Sequence, residues 1–256
     1  MKNLFDLIKN FIFNNNIILI RSPHQLTNFY ELENNYPKLI NVKYPILYIY
    51  HNKYETKQVI NIKNFLRLER KILYISSSKI GIITLLKNIK RFTIGNFKLC
   101  ISGNMFNDNL QKSFLKLSEK QFVVDDGGSS LIIKKRAFKE FSNLKLFTIY
   151  SNINLPKKYV INNNYSQLKK KISKYRFKKS KYIHFVSSNI HKYINDTNKK
   201  NKYFEKVNAL KKLYPNKKII YIAHRTEDLK EVKKFINFKV INLSIPLELY
   251  YLKKKT

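Results

Sequence analysis

The chain is poor in the residues that usually advertise special chemistry. It holds one cysteine (Cys100), no tryptophan, five glycines and six prolines in 256 residues. A single cysteine excludes a disulfide framework and any zinc site built on paired cysteines, and it suits a reducing compartment. So little glycine and proline excludes collagen-like and Pro/Gly low-complexity chains. Acidic residues are scarce as well, 16 against 51 basic ones, for a formal net charge of +35. No segment approaches the roughly 18 continuous apolar residues that span a bilayer. The first 19 residues are apolar only in patches, interrupted by Asp6, Lys9 and the asparagines 14–16, and no small-residue cleavage site follows. They read as a short amphipathic helix with Leu4, Phe5, Ile8, Phe11 and Ile12 on one side, which either packs on its own protein or docks on a membrane.

What is present describes a folded protein. The composition is 44% hydrophobic and 14% aromatic, too apolar for a disordered chain. The length allows one large domain or two of about 100–150 residues, each with its own core. The positive charge suggests a polyanion, but only seven of the 51 basic residues are arginine, leaving 44 lysines. Lysine, Asn, Ile, Tyr and Phe share A/T-rich codons, so coding bias explains much of the lysine. A nucleic-acid site built by selection carries arginine, whose fork matches phosphate and guanine edges. The expectation is therefore no nucleic-acid partner. Anionic lipid or a charged sugar nucleotide gains equally from a positive field.

Along the chain, short β-rich runs alternate with longer amphipathic segments. Strands are expected at Ile17–Arg21, Ile46–Tyr50, Ile72–Ser76, Lys98–Ser102 and Phe122–Asp125, with helices near Gln25–Asn34, Lys57–Leu68, Lys79–Lys90 and Asn107–Leu117. Crossovers of that length argue for a parallel α/β sheet, and the runs IILI, ILYIY and ILYI suit strands buried on both sides. A second series follows, with strands at Tyr182–Val186, Ile219–Ala223 and Val240–Leu243 and helices at Phe204–Leu213 and Glu227–Phe235. The lysine-rich stretch Asn152–Lys181 between them reads as a connection plus a solvated helix. The organisation is two Rossmann-like domains, about 1–155 and 175–256, the second short.

In open α/β sheets ligands bind beyond the carboxyl ends of the strands. The first strand is followed by Ser22-Pro23-His24-Gln25, the fifth by Asp125-Asp126-Gly127-Gly128-Ser129-Ser130, and Ile219–Ala223 by His224-Arg225-Thr226-Glu227-Asp228. Adjacent carboxylates at a sheet mouth repel each other, and desolvation there also favours a proton, which suits a general base. The glycines let a ligand approach the backbone. The plainer reading is a turn whose Asp caps the next helix, and an Asp pair on a divalent ion is a third. His224 can donate a proton near neutral pH and Arg225 can neutralise a phosphate. The plainer reading there is a helix start with acidic residues in its first turn. The other histidines lack metal-ligand spacing, Gly127-Gly128-Ser129-Ser130 lacks the ending of a phosphate-binding loop, and there is no GxGxxG or GxSxG.

An acidic strand end in one domain and a His-Arg strand end in the other suit a GT-B glycosyltransferase whose two parallel sheets face a cleft. The ordered pieces Ile20-Arg-Ser-Pro-His-Gln-Leu26, Ile94-Gly-Asn96, Val123-Val-Asp-Asp-Gly127, Phe147-Thr-Ile149, Tyr221-Ile-Ala-His-Arg-Thr-Glu227 and Ile245-Pro-Leu-Glu248 resemble the bacterial sialyltransferase and polysialyltransferase families. The resemblance implies an inverting transfer of sialic acid, or a related nonulosonic acid, from a CMP-sugar to a glycan or lipid-linked glycan, with no cofactor and no metal. It implies Asp125 or Asp126 as the base, His224 at the departing phosphate, and Glu248 at the ribose or cytidine. Gln25, Gly127, Gly128 and Arg225 fall on the substrate side. It also implies a cytoplasmic protein, with peripheral contact at the anionic inner membrane face. Two departures stand out. No proline follows His224, which fits the H-R variant of the motif. The family's serine/threonine motif does not follow Glu248, and Ser187-Ser188 and Ser129-Ser130 lie at other points in the order. The chain thus reads as truncated, as inactive, or as using another group there. The rival expectations are a member that binds nucleotide or acidic glycan without turnover, and a basic nucleic-acid-binding protein.

Overall fold

The computed structural model describes residues 8, 14–38, 40, 44–50, 53–93, 95–103, 108–125, 138, 140, 141, 143–150, 153, 155–173, 182–188, 194–224 and 227–243. The chain divides into two compact units, 1–174 and 175–256.

Unit 1 is built on a sheet of seven strands: β1 (Asn16–Ile20), β2 (Ile46–Tyr50), β3 (Ile72–Ser76), β4 (Phe97–Ser102), β5 (Ser118–Val124), β6 (Leu144–Thr148) and β7 (Val160–Asn162). Their spatial order is β3-β2-β1-β4-β5-β6-β7 and every neighbouring pair is parallel. This is the strand order of doubly wound, Rossmann-like sheets, extended by one strand. The helices are α1 (Pro23–Asn35), α2 (Lys53–Leu66), α3 (Ile80–Thr93), α4 (Asn109–Lys116) and α5 (Ser166–Ile172).

The apolar runs form strands because both faces of the sheet are covered. On one face Ile17, Leu19, Leu47, Ile49, Leu73, Ile75, Cys100 and Val123 pack with Ile83 and Leu86 of α3 and Phe114 and Leu115 of α4. The alternate residues Ile18, Ile20, Ile46, Tyr48 and Ile101 point to the other face and are equally buried. Register follows from this alternation: Leu19 sits beside Leu47 and Ser102, so residues of one face stay together across strands. Each such side chain contributes about 1.5–3 kcal/mol of burial. The helices start where the sequence supplies an acceptor. Ser22 caps α1, accepting from Gln25 N at 3.1 Å with Pro23 in the first turn, and Asp108 caps α4, accepting from Leu110 N and Gln111 N.

The stretch 152–181 holds more structure than its composition suggests. It supplies β7 at the sheet edge and α5, which docks on α1. Two polar residues of α1 hold α5: Asn35, whose Oδ1 accepts Ser166 Oγ at 2.8 Å and Gln167 Nε2 at 3.0 Å, and one buried acid. Glu31 of α1 is fully buried, and its carboxylate accepts the backbone N–H groups of Gln167 and Leu168 in the first turn of α5.

Unit 2 is a smaller parallel sheet in the order β10-β9-β8, from β8 (Tyr182–Val186), β9 (Lys218–Ala223) and β10 (Lys239–Asn242). The helices are α6 (Thr197–Asn208), α7 (Leu210–Leu213) and α8 (Leu229–Phe235). Phe204 and Val207 of α6 and Val232 of α8 meet Tyr221 and Ala223 in one cluster, so α6 and α8 share a face of the sheet. Two consecutive right-handed crossovers leading in one direction require this. Among the described residues no helix is long and apolar enough to cross a membrane.

Candidate active site

In unit 1 the carboxyl ends of β5, β6 and β7 converge on a buried polar network. Asp125 follows β5 and is 0% exposed. Its backbone N–H donates to Phe147 O at 3.0 Å, which continues the sheet one residue past the strand. Its Oδ2 accepts the Thr148 hydroxyl at 2.9 Å, with Ile149 N at 3.5 Å. Its backbone carbonyl accepts Asn28 Nδ2 at 2.9 Å, and Asn28 Oδ1 in turn accepts Asn163 Nδ2 at 2.9 Å. A buried carboxylate without donors is costly, so the network is what allows Asp125 to be there. Burial, reinforced by the Asp125 charge, pushes the nearby Tyr150 phenol above its ordinary range.

The sheet reverses its winding between β1 and β4, where a doubly wound fold opens its crevice. Here protein side chains occupy that place. Gln25 is 1% exposed, its Oε1 accepts Arg21 N at 2.8 Å, and its side chain lies against Gly103. A Cβ on Gly103 would meet Gln25 Cδ at 1.8 Å, so only glycine admits the glutamine. Beside it Arg21 and Asp108 form an ion pair that also orients the cap of α4.

Unit 2 carries its own strand-end cluster. His224 follows β9, and its backbone N–H donates to Glu227 Oε2, while Glu227 N donates back to His224 O at 3.0 Å. The Glu227 carboxylate is buried. Its Oε1 also accepts the hydroxyls of Ser187 at 2.6 Å and Tyr221 at 2.9 Å. Burial pushes the Tyr221 and Tyr203 phenols up, and the Glu227 charge adds to both shifts. α8 begins after this cluster, capped by Asp228 through Lys230 N.

The residues named from sequence thus fall in three places. Asp125 and Gln25 are buried at the carboxyl edge of unit 1, and His224 stands at that edge of unit 2. Asp126, Gly127, Gly128, Arg225 and Glu248 lie outside the described residues. Sequence reasoning missed Asn28 and Asn163 around Asp125, quoted Thr148 and Glu227 within motif pieces without giving them a role, and took Ser187 for a motif out of order. One signal was available: Gln25, Asn28 and Glu31 place polar residues along the buried side of α1, where only apolar ones are otherwise expected. Among the described residues no three His, Cys, Asp or Glu side chains gather as a metal site. Cys100 is buried, and burial pushes its thiol far up, away from nucleophilic use.

No family model, no curated protein and no solved structure matches this chain.

Proposed function

We propose that the chain is an inverting, metal-independent glycosyltransferase of GT-B type. It moves sialic acid, or a related nonulosonic acid, from a CMP-sugar to a glycan hydroxyl, at the cytoplasmic face of the inner membrane. Unit 1 takes the acceptor and unit 2 the nucleotide. The observation that carries this reading is the pairing of two parallel sheets with apt chemistry at their carboxyl ends, an acidic pair after β5 and a histidine after β9. The filled crevice at Gln25 and Gly103 supports giving the nucleotide to unit 2.

Asp125 is fully buried on Thr148, so the base role goes to Asp126 beside it. The acceptor hydroxyl gives its proton to the Asp126 carboxylate as its oxygen bonds to the anomeric carbon. The bond from that carbon to the phosphate oxygen breaks, and CMP leaves with the electron pair. His224 gives a proton to the departing phosphate, and Arg225 offsets its charge. CMP carries one phosphate, so a histidine and a cation can supply the charge relief that a divalent ion gives a diphosphate. Glu227 holds the backbone at His224 and so fixes the root of the imidazole.

The test follows CMP release and sugar transfer from CMP-sialic acid to an oligosaccharide acceptor. Wild type turns over, and Asp126→Ala and His224→Ala each lose at least about 100-fold while keeping their far-UV spectrum. Unchanged turnover in both variants overturns the assignment. Calorimetric binding of CMP without any turnover favours the non-catalytic binder. No CMP binding, with a steeply salt-dependent affinity for duplex DNA, overturns the transferase reading altogether.

A further inference from the structure

Helix α3 is apolar on two sides. One side, with Ile83 and Leu86, is buried in the core of unit 1. The other carries Ile82, Leu85, Ile89 and Phe92, spaced three, four and three residues apart, so they lie in one stripe along the helix. These four remain in solvent: Leu85 is 59% exposed and Phe92 84%. Isolated surface apolar residues are ordinary, but four in register on one helix are a built surface.

The stretch of sequence that carries the stripe has charge of one sign only. No Asp or Glu occurs between Glu69 and Asp108, while Lys71, Lys79, Lys87, Arg91 and Lys98 in that interval are not buried; Arg70 is paired with Glu33 and Lys90 is buried. Pairing the stripe with a second copy of the chain would bring two such cationic segments together, which repel. An anionic bilayer meets both needs at once, since its acyl boundary takes the apolar stripe and its headgroups take the cations. The helix has 14 residues, about 21 Å, long enough to lie in the interface and too short to span it.

We propose that α3 docks unit 1 on an anionic membrane surface, with Leu85 and Phe92 inserted and Ile82 and Ile89 at their flanks. This inference gives a surface to the membrane contact proposed above, and its evidence is the helix and its flanking cations, independent of any transfer chemistry.

The test uses flotation of the full chain with phosphatidylglycerol vesicles and, separately, with phosphatidylcholine vesicles. The expected result is binding to the first and much weaker binding to the second. Leu85→Asp with Phe92→Asp lowers binding to phosphatidylglycerol by roughly tenfold or more, because two apolar side chains no longer enter the interface. Lys211→Glu with Lys212→Glu, on exposed α7 of unit 2, lowers it less. The chain has no tryptophan, so Phe92→Trp provides a single reporter whose emission shifts to the blue on phosphatidylglycerol vesicles. The proposal is overturned by an unshifted Trp emission, by equal flotation of the double Asp variant, or by equal flotation with both lipids. It is also overturned by a solution dimer that the double Asp variant converts to monomer, which makes the stripe a contact between copies.

Discussion

Among the described residues each unit buries a carboxylate beyond the carboxyl end of a strand, and the two acids are held differently. Asp125 in unit 1 ties two strands together: its own amide extends the ladder to β6, and its side chain takes the Thr148 hydroxyl at the end of β6. Glu227 in unit 2 folds its own strand end back, gripping the His224 amide, and draws in Ser187 from beyond β8. Among the described contacts of both acids the donors are hydroxyls and backbone amides. Neutral donors bring no second ion that must also be stripped of water, whereas a buried ammonium would. The comparison teaches that a buried strand-end acid here works as a fastener. In the proposed transferase the chemistry falls to the residue beside each position, Asp126 in unit 1 and His224 in unit 2.

The contrast can be tested by removing each fastener. Glu227→Ala leaves two hydroxyls and an amide without their acceptor, and should cost about 2–4 kcal/mol in urea unfolding. Asp125→Ala removes, among the described contacts, the acceptor of a close hydroxyl and a long amide, and should cost about 1–3 kcal/mol. If Asp125→Ala proves the more damaging, the two acids do not differ as described. A smaller effect sharpens the picture at the β1/β4 crevice. Gly103→Ala forces Gln25 to move and should cost about 1–2 kcal/mol, and adding Gln25→Ala should recover part of that loss. Strictly additive losses would show that the two residues do not share the space.

The smallest effect concerns the cation at the end of α3. Lys90 is fully buried against Phe97, and burial holds its ammonium below the ordinary lysine value of 10.5. The unfolded chain then binds this proton more readily than the folded one, so stability gains as pH rises between the lowered folded value and 10.5. Lys90→Met should lose that gain, its unfolding midpoint changing less than wild type over the same alkaline interval. Parallel curves for the two proteins would contradict this account.

Much of the fold was legible in the sequence, because a strand buried on both faces reads as an unbroken apolar run. β2, β3 and β8 fall at the expected residues. β6 was passed over because Lys145 interrupts a five-residue run, and β7 because three edge residues carry almost no pattern. α5 was blurred for another reason: its first turn is fixed by Glu31, more than 130 residues earlier in the chain. The same distance effect governs the site. Strand-end positions such as Asp125 and His224 can be found by locating strands. Their partners cannot, since Asn28 lies 97 residues from Asp125 and Ser187 lies 40 from Glu227. Only topology brings those pairs together.

The Glu31 contact bears on how the molecule can be taken apart. A fragment ending near residue 155 would strip away the two amides that α5 offers to this acid, leaving it with the donor Asn35 Nδ2 in the body of the first unit. It would also bare the Thr148 side of β6, where β7 now pairs. A recombinant version of the amino-terminal half therefore has its natural stopping point after α5, and a shorter cut would yield a sticky product from an intact sheet.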